Sequence, residues 1–177
     1  MRGKKFTGMS EQMSGVGSGA GYRKATFAAG CFWGVEAAFR RMKGVISTRV
    51  GYTGGHIQNP TYRDVCTDTT GHAEAVEITY DPALLSYGQL LDEFFRIHDP
   101  TTPDRQGPDF GSQYRSAIFY HDDAERAAAE SSIMQLEKSG RYRQPVVTQV
   151  VPAREFYEAE EYHQQYFEKN KGARCHI

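Results

Sequence analysis

The sequence predicts a mixed α+β domain with a ferredoxin-like, or split βαβ, core. Strand and helix patterns follow one another in the order strand–helix–strand–strand–helix–strand, which is the order of that fold. A further helix, strand and helix come next, so we expect a core elaborated with extra helices and a C-terminal tail. Apolar residues make up 39% of the 177 residues and charged residues 24%, shares that are typical of a globular chain.

The first predicted elements are a strand over Ala25–Ala29, a helix over Cys31–Lys43, a strand over Val45–Tyr52 and a strand over Ala73–Tyr80. Apolar residues recur every three to four positions in the helix, and Gly44 is predicted to end it. Alternation puts Ile46, Val50 and Tyr52 on one face of the second strand. Glycines after that strand, followed by Asn59 and Pro60, predict a loop.

The second half is predicted to hold a helix after Ser86, a loop over Asp99–Gln113, a strand over Arg115–Tyr120, a helix from Asp122 to Ser139, a strand over Val146–Val151 and a helix over Glu155–Phe167. Ser86 and Gln89 form a capping box, and Asp122 with Glu125 is a similar helix-start signal. The loop is long for a connector in so compact a domain, and such loops are usually functional.

The first 21 residues differ in composition from the remainder, because glycine and serine dominate them. Such a segment cannot bury an apolar face, so we expect a flexible tail over 1–21. It lacks the apolar run of a secretory signal peptide. Its excess of basic residues means that a transit peptide stays an alternative. Residues 22–177 are predicted to form a single catalytic domain with a mobile C-terminal tail from about residue 168.

Charge and composition exclude several classes of function. The formal net charge is −1 and the isoelectric point about 6.6, so no overall field attracts nucleic acid or anionic lipid. No apolar run approaches the length of a membrane span, and the six histidines show no metal-ligand spacing. We therefore expect a cytoplasmic monomer that binds no nucleic acid, membrane or metal.

Three cysteines are too few for a disulfide scaffold, and an odd number cannot pair fully within one chain. Cys31 follows a strand and a glycine and opens a helix, whose N-terminus favours a thiolate. This position predicts a nucleophile, although a buried structural cysteine is the alternative. Cys175, close to the chain end, is either a second thiol that reaches Cys31 or an incidental cysteine. Cys66 is expected to pack as a small hydrophobe.

Two aromatic residues and a carboxylate are the next candidates. Phe32 and Trp33 directly follow Cys31, and they either enclose an apolar pocket or belong to the core. Glu74 shares a strand face with Val76 and Ile78, so we expect partial desolvation and a raised carboxyl pKa, as a general acid needs. The alternative is that Glu74 reaches solvent at the strand end.

Three polar residues, Tyr62, Asp109 and Tyr114, lie in predicted loops. Loop side chains can project donors and acceptors into a site held by a rigid scaffold. Taken singly, each of the three is equally compatible with a surface or packing role.

Seven short motifs give a family resemblance. They are Gly30–Gly34 (GCFWG), Gly51–Gly55 (GYTGG), Asn59–Tyr62 (NPTY), Gly71–Val76 (GHAEAV), His98–Thr102 (HDPTT), Arg105–Gly107 (RQG) and Gln113–Ser116 (QYRS). In this order, from about Ala25 to the C-terminus, the chain resembles the type A peptide methionine sulfoxide reductases. The resemblance implies an elaborated ferredoxin-like α+β fold and an enzyme that reduces the S epimer of methionine sulfoxide, free or in proteins.

The resemblance also implies a role for each candidate residue. Cys31 is the nucleophile that becomes a sulfenic acid, and Glu74 delivers the proton to the sulfoxide oxygen. Tyr62 and Tyr114 hold that oxygen, while Cys175 is the resolving thiol. Phe32 and Trp33 enclose the substrate methyl, and Asp109 binds the methionine backbone region. Thioredoxin reduces the resulting disulfide, with no metal or organic cofactor, in the repair of oxidised proteins.

Two other functions stay open at this point. A papain-like cysteine hydrolase also has a cysteine near a tryptophan at a helix start, with a distant histidine. Here Phe32 intervenes, and the candidate His72 has no obvious Asn or Asp partner. A non-enzymatic thiol redox sensor would oxidise Cys31 without releasing methionine from a sulfoxide.

Overall fold

A computed structural model describes residues 21–174. The predicted tail therefore lies, up to residue 20, outside the described residues, and so does Cys175. No helix within 21–174 is both long enough and apolar enough to cross a bilayer.

The described chain forms a mixed α+β fold. Its elements are β1 (Arg23–Ala29), α1 (Phe32–Arg40), β2 (Val45–Thr53), α2 (Tyr62–Cys66), β3 (Ala73–Tyr80), α3 (Tyr87–Arg96), β4 (Arg105–Gln106), β5 (Asp109–Phe110), β6 (Ser116–Tyr120), α4 (Asp123–Lys138), β7 (Gln149–Pro152), β8 (Phe156–Glu158) and α5 (Tyr166–Lys169). Two 3-10 turns, Ser112–Tyr114 and Glu161–His163, complete it.

A six-stranded sheet in the order β7-β6-β1-β3-β2-β8 forms the centre of the fold. All neighbours are antiparallel except β6 and β7. Because β1 and β3 run in opposite directions, with Phe27 opposite Val76, the end of β1 lies beside the start of β3. The loop that carries Cys31 therefore lies next to Glu74.

The main core lies between the sheet and helices α1 and α3. The Phe27 ring stacks on Phe39 of α1 at 5.4 Å between centroids and on Phe94 of α3 at 5.1 Å. All three side chains are fully buried, and burying one such ring stabilises a fold by about 1.5–3 kcal/mol. The predicted capping box of α3 is confirmed, since Ser86 and Gln89 exchange side-chain hydrogen bonds with each other's backbone N–H.

The predicted helix over Glu155–Phe167 is wrong. In its place are β8, a 3-10 turn and the four-residue α5. β8 pairs with the edge of β2, where the backbone of Gly51 lies opposite Glu158. Gln165 has a left-handed backbone conformation, with φ of 52°, which interrupts a right-handed helix. Long-range strand pairing therefore overrides the local helical pattern.

Smaller differences have local causes. α1 ends at Arg40, three residues before the predicted end. Ile46 is not on the Val50 face, because the register of β2 shifts between Val45 and Ser47 and leaves Ile46 48% exposed. The last predicted strand begins only at Gln149, since the N–H of Val147 donates to the carbonyl of Pro100 instead.

Gly51→Ala is expected to lower the free energy of unfolding by about 1–3 kcal/mol, the usual cost of forced overpacking. A Cβ at this position would overlap the carbonyl oxygen of Tyr157, so β8 would have to move away from β2. Thermal and urea unfolding measure the loss.

Gly88→Ala in α3 is the matched control. Its Cβ would meet nothing closer than 3.8 Å, and alanine favours a helix over glycine by about 0.5–1 kcal/mol. Equal unfolding midpoints for Gly51→Ala and the unaltered protein would contradict the close approach of β8 to β2.

Candidate active site

Cys31 is the N-cap residue of α1 and is half-buried. Gly30 makes the turn from β1 into α1 with φ of +95°, and a Cβ there would lie 2.7 Å from Cγ of Gln106. The β4–β5 hairpin thus packs directly against the turn before Cys31. The positive end of the α1 dipole lies at this position.

Glu74 is only 2% exposed, near the start of β3. Its carboxylate accepts the backbone N–H of Phe32, the residue after Cys31, at 3.1 Å. Burial raises the pKa of Glu74 to about 8; the hydrogen bond from Phe32 opposes this shift, and the charge of Asp109 adds to it. The predicted desolvation of Glu74 is confirmed, and the carboxyl group is mainly protonated at neutral pH.

Tyr62 and Tyr114 are both half-buried. Burial is the main cause of a raised pKa for each hydroxyl, and the charge of Glu74 contributes to both shifts. The two hydroxyls therefore stay protonated and can donate hydrogen bonds near Glu74. Contrary to the sequence prediction, Tyr62 does not lie in a loop but begins α2, which has a capping box of Thr61 and Asp64.

Asp109 lies in β5, where it pairs with Gln106 across the hairpin. Its charge raises the pKa of both Glu74 and Tyr114, so the long loop brings a second carboxylate to the site. The predicted functional loop thus has structure of its own, namely a short hairpin and a 3-10 turn.

Phe32 and Trp33 differ in environment. Phe32 is buried against Tyr52 and His163, with ring centroids 5.8 and 5.2 Å away. Trp33 is half-buried, and its ring stacks on Tyr166 at 3.7 Å with an interplanar angle of 4°. Its indole N–H donates to Nδ1 of His163 at 2.9 Å.

Three residues near these side chains escaped the sequence analysis. His163 is fully buried, and burial lowers its pKa, so the neutral ring can accept from Trp33. Glu160 accepts the hydroxyl of Tyr52 and the N–H of Tyr62, both at 3.1 Å. Tyr166 stacks on Trp33. The aromatic residues between Tyr162 and Phe167 are a sequence feature that could have indicated these contacts, but the segment is predicted as a helix.

Cys66 does not pack as a small hydrophobe, contrary to prediction. It is exposed at the end of α2, and Val65 is the one fully buried residue of this five-residue helix. Its thiol forms a hydrogen bond with Tyr62. Cys66 therefore lies at the edge of the site, whereas Cys175 lies outside the described residues.

The histidine needed by a cysteine hydrolase is engaged elsewhere. Nδ1 of His72 accepts the N–H of Gly55 at 3.0 Å, and Nε2 contacts the carbonyl of Ile57 at 2.7 Å. Both ring nitrogens thus bond to backbone, so His72 cannot act as a base for Cys31 in this conformation. Within residues 21–174, no cluster of three or more His, Cys, Asp or Glu side chains could hold a metal ion.

Comparisons with known proteins identify one matching family. A family model described as peptide methionine sulfoxide reductase matches residues 23–177. The peptide methionine sulfoxide reductase MsrA of Methanothermobacter thermautotrophicus is 65% identical over 156 residues, which cover 88% of this chain and 92% of the relative.

Two solved structures of Mxr1 from Saccharomyces cerevisiae are also similar. The reduced form has a TM-score of 0.82 at 36% identity, covering 89% of this chain and 90% of Mxr1. The complex with Trx2 has a TM-score of 0.59 at 29% identity, covering 84% of this chain and 86% of Mxr1.

Proposed function

Because the chain belongs to the peptide methionine sulfoxide reductase family, we propose that it reduces the S epimer of methionine sulfoxide, free or in oxidised proteins, to methionine. The observation that carries the proposal is the buried carboxyl group of Glu74, hydrogen-bonded to the amide of Phe32 beside Cys31. Sulfoxide reduction needs both a thiol nucleophile and a proton donor that is still protonated at neutral pH.

In the first step, the Cys31 thiolate attacks the sulfoxide sulfur while Glu74 gives its proton to the sulfoxide oxygen. Tyr62 and Tyr114 hold that oxygen by hydrogen bonds. The oxygen and its proton pass to the Cys31 sulfur, which is oxidised to a sulfenic acid. The substrate sulfur gains two electrons, and methionine leaves.

Substrate binding depends on the aromatic residues after the nucleophile. Phe32 and Trp33 enclose the substrate methyl, and Asp109 binds the backbone region of the methionine. The rigid stack of Trp33 on Tyr166 supports this role, because a preorganised apolar wall binds a methyl group and excludes water.

A second thiol then restores the enzyme. Cys175 attacks the sulfenic acid, a disulfide forms between Cys31 and Cys175, and water leaves. Thioredoxin reduces this disulfide by thiol exchange, a step supported by the solved complex of Mxr1 with Trx2. The thioredoxin thiols supply both electrons, so the proposed cycle involves no metal or organic cofactor.

A coupled assay with each sulfoxide epimer tests the proposal. With thioredoxin, thioredoxin reductase and NADPH, we expect NADPH oxidation and methionine release with the S epimer alone. Equal turnover of the R epimer would contradict the specificity. Oxidation of Cys31 without methionine release would indicate a redox sensor, and peptide cleavage without NADPH consumption a hydrolase.

Cys175→Ser is expected to release about one methionine per enzyme and then stop when thioredoxin is the reductant, because the sulfenic acid has lost the thiol that resolves it in the proposed cycle. Rapid-quench measurement of methionine, with mass spectrometry of Cys31, follows the burst. Cys66→Ser is the matched control and should turn over repeatedly. Multiple turnovers by Cys175→Ser would show that Cys66 or thioredoxin resolves the sulfenic acid directly.

The order of the strands also bears on the type of α+β fold. We propose that residues 22–177 form one domain with an elaborated ferredoxin-like core. The order β6-β1-β3-β2 of the central strands, all antiparallel to their neighbours, supports this assignment, and β7, β8 and α4 are then additions to the core.

A further inference from the structure

A carboxylate occupies a core position of α1 and has no part in the mechanism above. Glu36 is 1% exposed and shares its face of the helix with Phe32, Val35 and Phe39. An apolar side chain would fill such a position without the cost of burying a charge. Both carboxylate oxygens are engaged, one by the hydroxyl of Thr48 at 2.7 Å and one by the backbone N–H of Gln165 at 2.8 Å.

The segment held by Glu36 has an unusual backbone. Gln165 adopts a left-handed conformation, with φ of 52° and ψ of 45°, which is unfavourable for a residue with a side chain. The preceding Gln164 is pinned as well, because its amide accepts the N–H of Val50 and donates to the carbonyls of Val50 and Ala159. Hydrogen bonds to the Glu36 side chain and to the backbone of Val50 and Ala159 thus stabilise a conformation that the local sequence does not favour.

This conformation determines the surroundings of Trp33. Gln165 stands between His163, which accepts the indole N–H, and Tyr166, whose ring covers the indole face. The turn at Gln165 therefore allows two nearby residues to contact one tryptophan from two directions. If the backbone at Gln165 relaxed, Tyr166 would leave the Trp33 ring.

We propose that Glu36 is a positioning residue: by holding the backbone of Gln165, it fixes Tyr166 against Trp33 in the wall of the substrate pocket. The part played by Trp33 in binding rests on the proposed function. The placement of Trp33 by Glu36 does not, because it follows from the hydrogen bonds and the ring stack. Glu36 itself contacts no reacting atom in this scheme.

The test uses the full chain and three substitutions of Glu36. Glu36→Met keeps the length of the side chain but cannot accept the N–H of Gln165. Glu36→Asp keeps the carboxylate, but its side chain is too short to reach the N–H of Gln165. It is the second test variant if Glu36→Met does not fold. Glu36→Gln is the conservative variant, since its amide can accept from Gln165 and donate to Thr48.

Thr48→Val is the matched control, because it removes the other hydrogen bond of the same carboxylate and leaves the bond to Gln165. Trp33 is the only tryptophan in the chain, so the intrinsic tryptophan fluorescence reports this ring alone. Emission maximum and acrylamide quenching are measured without substrate. KM and kcat for the S epimer are measured separately.

We expect red-shifted emission and stronger quenching in Glu36→Met and Glu36→Asp, but not in Glu36→Gln or Thr48→Val. The same two variants should raise KM by about tenfold with little change in kcat, as for a loosened apolar pocket. Unchanged fluorescence in both variants would overturn the proposal, and so would an equal shift in Thr48→Val. If the unaltered enzyme released no methionine, the fluorescence comparison would still decide the role of Glu36.

Discussion

Cys31→Ser is expected to lower methionine release from the S epimer by at least about 10⁴-fold, the scale seen when a nucleophile is removed. A serine hydroxyl is not ionised at neutral pH, and it cannot carry the oxygen as a sulfenic acid does. The fold should be retained, because serine is a favourable N-cap residue for a helix such as α1. Single-turnover methionine release measures the activity, and thermal unfolding measures the stability.

Cys66→Ser is the matched control for this experiment. Cys66 is exposed at the edge of the site, and a serine hydroxyl can keep its hydrogen bond with Tyr62. Its replacement should therefore leave the rate of the first turnover within about twofold, as for a surface change. Turnover retained by Cys31→Ser, or lost only in Cys66→Ser, would exclude Cys31 as the nucleophile.

Glu74→Gln is expected to slow the first turnover by about 10²–10³-fold, within the range for loss of a general acid. Glutamine fills the same space and can still accept the N–H of Phe32, but it has no proton to give to the sulfoxide oxygen. KM should change little, because the pocket is unaltered. Rapid-quench kinetics separates these two effects, and an unchanged rate would rule out Glu74 as the acid.

The pH dependence provides an independent check. Since the pKa of Glu74 is raised to about 8, the acid form is present below pH 8. The rate should therefore fall as the pH rises through 8, and Glu74→Gln should lack this fall. Because the folded protein holds the proton of Glu74 more tightly than the unfolded chain, this group also adds to the free energy of unfolding. That contribution is complete below the usual carboxyl pKa and is lost as the pH rises through 8.

Glu77→Gln is the control on the same strand. Burial opposes ionisation of Glu77, but hydrogen bonds from Arg49 and Lys24 outweigh it and lower its pKa. The charge of Glu77 thus stabilises the fold above the usual carboxyl pKa, and this contribution is lost as the pH falls. Glu77→Gln should keep the rate and its decline near pH 8.

Features with a strong local signal could be predicted from the sequence. The alternation in β3 placed Glu74 on a buried face, and the capping residues of α3 and α4 located their first turns. The position of Cys31 after a strand and a glycine predicted a helix start. Antiparallel pairing of β1 with β3, two strands that are not consecutive in the chain, then brings the two residues together.

The C-terminal part of the site could not be predicted, because its conformation depends on distant residues. β8 forms where the missing side chain of Gly51 lets a second backbone approach, and Gln165 keeps its conformation through Glu36. The spacing of apolar residues along the chain indicates neither the approach of β8 to Gly51 nor the contact of Gln165 with Glu36. Cys66 was misjudged for a related reason, since α2 is too short to show which side faces the core.

The hydrogen bond between Trp33 and His163 joins residues 130 positions apart. A chain is synthesised from its N-terminus, so a nascent chain carries Cys31 and Glu74 before His163 and Tyr166 are added. During that interval Trp33 has neither its hydrogen-bond acceptor nor its stacking partner. The wall of the pocket can therefore form only after His163 and Tyr166 have been synthesised, which is later than the synthesis of Cys31.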